Sequence, residues 1–125
     1  YAHYPWKLLL KSGTEGVAAS NYGRNLMKEM MLVYDGDQHR YAQIAGHGFR
    51  ILAEAMEKDL PYEIKSPSLL ICGTKDHAGS CIRYNREWHR KTKIPLKWIE
   101  GAGHNSNTDK PEMINSLIEE FLSNI

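Results

Sequence analysis

The chain has 125 residues and a mass of 14.3 kDa, and 42% hydrophobic with 25% charged residues excludes a disordered tail, a collagen-like repeat or a low-complexity segment. Sixteen Lys and Arg against fifteen Asp and Glu leave a net charge of +1, no electrostatic reason to expect nucleic acid or an acidic membrane as partner. No apolar run approaches the roughly 18 residues that cross a bilayer, and the opening YAHYPWKLLLKSG carries no cleavable signal pattern.

Residues 1–20, with Trp6 and the run Leu8, Leu9, Leu10, show no sustained period and read as irregular chain with room for one short helix. From Asn21 to Tyr34, Leu26, Met27, Met30, Met31 and Tyr34 recur at three- and four-residue steps, which predicts a helix. The segment DGDQ, Asp35 to Gln38, supplies a turn and capping oxygens. A longer helix is expected over 38–58, with Tyr41, Ile44, Ala45, Gly48, Ile51, Leu52, Ala55 and Met56 along one side. Gly46 and Gly48 each cost about 1 kcal/mol there, so close packing or a kink is expected. Pro61 ends that helix and Pro67 introduces the next element.

Ser68 to Cys72 (SLLIC) is short, apolar and bounded by Pro and Gly, the pattern of a strand buried on both faces in a parallel sheet. The loop GTKDHAG follows. A helix is then expected over 80–91, with Cys81, Tyr84 and Trp88 on one face and Arg83, Arg86 and Arg90 on another. Leu96 to Glu100 is a second strand, GAGHNSNTD a second loop, and 111–124 an amphipathic helix with Met113, Ile114, Leu117, Ile118, Phe121 and Leu122. Pro111 suits its first turn, with Thr108 and Asp109 ahead of it as candidate caps. Strand, helix, strand makes a right-handed βαβ unit with parallel strands. The fold class is therefore α/β, with a first half that is helical and irregular.

Ligands of open parallel sheets bind beyond the carboxyl ends of the strands. Both loops leave such ends, and each carries a titratable residue: Asp76 in the first and His104 in the second. An aspartate can hold one imidazole nitrogen as an N–H donor and so leave the other free as a general base. Gly101 and Gly103 let the second loop turn sharply and present His104 outward.

The stretches PSLLICGTKDHAG, LKWIEGAGHNSN and DKPEMINSLIEEFL resemble the C-terminal portion of the α/β-hydrolase family. The resemblance covers residues 61–125. It implies the last two strands, the acid loop, the histidine loop and the closing helix of that fold. Residues 1–60 would then be a helical cap or lid segment with a connecting helix, and 61–125 part of the hydrolase core. Asp76 stands where the family's catalytic acid stands and His104 where its histidine stands. The family order of nucleophile, acid, histidine agrees. The departure is equally plain: no G-x-S-x-G elbow exists in the chain, and Ser80, near Asp76, reads as a helix-start residue.

The chain thus offers the acid and base of a triad and no nucleophile. None of its five Met is residue 1, and the expectation is a piece of a longer protein whose N-terminal half carries the nucleophile. The resemblance implies a serine hydrolase acting on an ester, amide or related bond of a small molecule, with this chain inactive alone. Alternatives are an Asp-nucleophile dehalogenase or epoxide hydrolase, in which His104 activates water on a covalent ester, and a non-catalytic truncated binding module.

Six histidines show no His-x-x-x-His spacing and the two cysteines no Cys-x-x-Cys, so neither a metal nor a cofactor is expected. Cys72 and Cys81 read as small core residues and, being only two, point to a reducing, cytoplasmic setting. Arg83, Arg86, Arg90, Lys91, Lys93 and Lys97 read as a solvated helix face rather than an RNA contact. Tyr4, Trp6, Tyr22, Tyr34 and Tyr41 are candidates for lining a substrate pocket or for ordinary packing.

Overall fold

A computed structural model describes residues 1–58 and 63–125. Pro61 and the division between residues 60 and 61 lie outside the described residues. The order is α1 (Trp6–Glu15), α2 (Asn21–Leu32), α3 (Gln38–Glu57), β1 (Leu70–Gly73), α4 (Cys81–Thr92), β2 (Leu96–Ile99), α5 (Ser106–Asp109) and α6 (Pro111–Ser123). Among the described residues the chain mixes helix and strand, and two strands run parallel, as an α/β layout requires. No helix among the described residues is long and apolar enough to cross a membrane.

The pairing sets Leu70 opposite Leu96, Ile71 opposite Lys97, Cys72 opposite Trp98 and Gly73 opposite Ile99. The strands therefore end level, and the loops beyond Gly73 and Ile99 leave from the same end of the sheet. Crossover helix α4 returns the chain over β1 and ends at Lys93, whose φ of 61° is a left-handed stop. Beneath the sheet, Ile99, Ala102 and Ile114 form the buried centre, joined by Ile71 and Leu117. Full burial of Ile99 contributes roughly 2 kcal/mol. Pro111 opens α6 at its first turn, as its missing N–H favours.

β1 is less enclosed than its apolar run suggests. Leu70 and Ile71 are half-buried, and only Cys72 and Gly73 are buried. In α4, Cys81 and Trp88 are half-buried, but Tyr84 is exposed and Arg83 lies over its ring at 5.1 Å. The basic face of α4 is partly neutralised within itself. Arg90 grips Glu87 through two hydrogen bonds of 2.9 and 2.7 Å and holds its carboxyl down to about 2. Arg86 stacks over Trp98 at 5.3 Å.

The first half departs most from expectation. Residues 6–15 form a regular helix, with Leu9 and Thr14 buried, in the stretch expected to be irregular with room for one short helix. Asp37, from the DGDQ turn, caps α3 by accepting from the Arg40 N–H at 3.2 Å. α3 itself buries no residue, and the close packing expected at Gly46 and Gly48 is not found among the described residues. A methyl group at either position meets no described atom within 4 Å. The aromatic residues sort into two groups. Trp6 and Tyr34 pack edge-on to Tyr41 at 5.7 and 5.6 Å, and Tyr1 lies 6.0 Å from the same ring, whereas Tyr4 and Tyr22 are exposed. That cluster fastens the first turn of α3 to α1. Burial, then the neighbouring Tyr1 and Tyr34 hydroxyls, push the Tyr41 phenol up.

Candidate active site

Two loops meet at the carboxyl end of the sheet, tied by their own backbones. Beyond β1, the Thr74 N–H donates to the Ile99 carbonyl (3.0 Å) and the Lys75 N–H to the Ala102 carbonyl (2.8 Å). In return, the Gly101 N–H donates to the Thr74 hydroxyl at 2.9 Å. Gly101 has φ +74°, a left-handed turn that glycine adopts without strain. The loops approach so closely that a Cβ on Gly73 would collide with the carbonyls of Ala102 and Gly103.

This lacing brings Asp76 and His104 together. Asp76 is buried, its side chain 5% exposed, while the His104 side chain is 44% exposed. The Asp76 Oδ1 atom accepts from the Ala78 N–H at 2.9 Å, a local turn that fixes the carboxylate plane. Its Oδ2 lies 3.0 Å from His104 Nδ1. A carboxylate can only accept, so Nδ1 carries the hydrogen and Nε2 keeps its lone pair in the neutral ring. The arrangement is a histidine held in one tautomer by a buried acid, with an imidazole that solvent reaches.

Residues expected in other roles hold this site in place. Asp109, expected as a helix cap, caps nothing: Lys110 occupies the N-cap position of α6 and makes no side-chain cap bond. Instead, Asp109 is buried and accepts hydrogen bonds from the backbone N–H groups of Ala19 (2.8 Å), Ser20 (2.8 Å) and Gly103 (2.7 Å) and from the Ser20 hydroxyl (2.7 Å). Burial alone would push this carboxyl up, but the four donors outweigh it and hold the group below the ordinary carboxylate range. Ser20 in turn caps α2, its Oγ accepting from the Gly23 N–H at 2.9 Å. One carboxylate thus fastens the residue before His104 to the start of α2. The Asn105 N–H donating to the Val17 carbonyl at 2.7 Å secures the residue after it.

Gly103 serves this contact by its size. A Cβ there would lie 3.0 Å from the Val17 carbonyl and 3.2 Å from the Ala19 nitrogen. A cleft of about 250 Å³ opens beside the two loops, lined among others by Ala18, Ala19, Arg24, Lys75, His77 and Gly103.

Cys81, at the first position of α4, also belongs to this neighbourhood. One donor atom each from Asp76, Cys81 and His104 lie within 4.8 Å of one another, a group of three that their sequence spacing does not announce. Burial, then the Asp76 charge, push the Cys81 thiol up, against a smaller lowering by its own N–H. A thiol held neutral in this way is a poor nucleophile. Ser80 stands at the N-cap of α4 but makes no side-chain cap bond. Two other histidines make local contacts: His47 Nδ1 meets Arg50 at 2.9 Å, and His89 Nδ1 lies 2.7 Å from the Ile94 carbonyl.

No family model matches the chain, and no solved structure matches it. Epoxide hydrolase 1 of Caenorhabditis elegans is 31% identical to it over 75 residues, 60% of this chain. The match spans 19% of that relative's own length. This weak likeness is to a member of the α/β-hydrolase superfamily.

Proposed function

We propose that this chain supplies the general base and its positioning acid to a hydrolase of the α/β type, with the nucleophile contributed by a part of the protein outside these 125 residues. The observation that carries the reading is the 3.0 Å bond from the accessible His104 Nδ1 to the buried Asp76 carboxylate, at the shared end of two parallel strands. The likeness to an epoxide hydrolase favours an epoxide as substrate and an aspartate as nucleophile. In that chemistry the upstream carboxylate attacks a ring carbon and forms a covalent ester, and the ring oxygen released from that carbon takes a proton from solvent. His104 Nε2 then takes a proton from water, the hydroxide adds to the ester carbonyl, and the diol leaves. Asp76 stabilises the imidazolium that forms in between. A serine nucleophile acting on an ester or amide is the second reading. It uses His104 twice, first to deprotonate the serine and then to activate water, and it rests on the G-x-x-D and A-G-H loops alone. In both, residues 1–60 form a helical cap or lid and the cleft by Lys75 and His77 admits a small-molecule substrate.

The test is turnover by the complete reading frame that contains this chain, assayed against aryl epoxides and aryl esters. Epoxide opening to a diol is the expected result. Ester turnover with fluorophosphonate labelling selects the serine reading, and turnover of neither class overturns both. The 125-residue chain alone should not be labelled by a fluorophosphonate; stoichiometric labelling would show that it carries its own nucleophilic serine.

A further inference from the structure

The cluster of Asp76, Cys81 and His104 has a second chemistry. Its oxygen, sulfur and nitrogen donors lie within 4.8 Å of one another and come from three different kinds of ligand. That mixed set is one zinc takes readily, at about 2.0–2.2 Å to oxygen or nitrogen and 2.3 Å to sulfur. Tetrahedral ligands at such bond lengths sit roughly 3.3–3.7 Å apart. The Asp76–His104 pair, at 3.0 Å, would have to open slightly. The Cys81 thiol would have to close in by no more than about 1.5 Å, a movement within reach of side-chain rotation at the first turn of α4. Asp76 is pre-oriented for a ligand by its second oxygen, which holds the Ala78 N–H, and the exposed face of His104 gives an ion its way in.

We infer that Asp76, Cys81 and His104 form a three-donor site for a thiophilic divalent cation of the zinc class, and that its occupancy silences the Asp76–His104 pair. Binding displaces the thiol proton and the Nδ1 proton to solvent. With Nδ1 on the metal, the neutral ring carries its hydrogen on Nε2 and can no longer accept one there. The silencing rests on the hydrolase reading; the binding does not.

The experiment titrates the reduced 125-residue chain with Co²⁺ alone and reads absorbance. One equivalent should produce a thiolate-to-cobalt charge-transfer band with intensified visible bands of tetrahedral Co²⁺, and Zn²⁺ should displace it. Cys81→Ser should remove the charge-transfer band, and His104→Ala should weaken binding at least tenfold. Cys72→Ser should leave the spectrum unchanged, and circular dichroism should show each variant folded like the parent. Absence of the band in the parent chain, or its survival in Cys81→Ser, overturns the site. In the complete protein, Zn²⁺ should lower turnover. Binding without inhibition refutes the silencing and leaves the hydrolase reading intact, whereas a protein inactive on every substrate leaves the cobalt result standing.

Discussion

In the complete protein, His104→Ala should lower turnover by about 10⁴-fold or more, and Asp76→Asn by roughly 10²- to 10⁴-fold. The asparagine result follows from the hydrogen-bond directions at this site. The Asp76 Oδ1 atom is committed to the Ala78 N–H, so an asparagine keeps its carbonyl there and turns its NH₂ toward His104. An NH₂ only donates, which forces Nδ1 to accept and moves the ring hydrogen to Nε2. The side chain keeps its shape and its burial, but the base is in the wrong tautomer. The measurement is steady-state turnover alongside a thermal melt of each variant. Asp76→Asn with turnover within tenfold of the parent would contradict the positioning role, as would His104→Ala with unchanged turnover.

The second large effect falls on Asp109, which touches neither residue of that pair. Asp109→Ala removes the acceptor for three backbone N–H groups and a hydroxyl in a buried place. The expected local cost is about 3 kcal/mol, roughly a hundredfold more frequent opening. Hydrogen exchange at Ala19, Ser20 and Gly103 is the direct readout, and those amides should lose protection by that factor. The same carboxylate sets a pH dependence. Its pKa is lower in the folded state than in the unfolded chain, so its stabilisation is complete above the ordinary carboxylate range. That contribution is lost as pH falls through the lowered folded value. Asp109→Asn should therefore lose stability near neutral pH and flatten the acid limb of the stability curve. Unchanged protection at Gly103 in Asp109→Ala would show that the histidine loop stands without this tie.

What the sequence made legible at this site follows from local signals. SLLIC and LKWIE are short apolar runs with Pro or Gly nearby, and each precedes a loop with a titratable residue a few positions past the strand, Asp76 and His104. Parallel pairing then puts Asp76 and His104 side by side without further information. Asp109 was illegible as a tie because its partners Ala19 and Ser20 lie 90 and 89 residues away in a segment with no periodicity. Just before Lys110 and Pro111, an aspartate looks like a helix cap. Cys81 looked like a core residue for a related reason. Its place on a helix face is written in the sequence, but the nearness of that helix's first turn to the Asp76 loop is a tertiary fact. The glycines of α3 misled in the other direction: their propensity cost suggested a packing reason, and the fold places open space beside them. α1 was allowed only as one short helix, although Trp6, Leu9, Leu10 and Gly13 share its more buried side and the exposed Lys7 and Lys11 lie on the other.

The proposed role reduces to one property of one ring: a buried carboxylate holds His104 as the Nδ1–H tautomer and leaves Nε2 basic. Two-bond ¹H–¹⁵N correlation spectra of the 125-residue chain, labelled at histidine, read this without substrate or nucleophile. The expected spectrum shows His104 with a protonated Nδ1 and an unprotonated Nε2 in the neutral ring, exchanging its tautomer in Asp76→Asn. A His104 protonated at Nε2 in the parent chain, and unmoved by Asp76→Asn, would contradict the assignment of these two residues as a general base and its positioning acid.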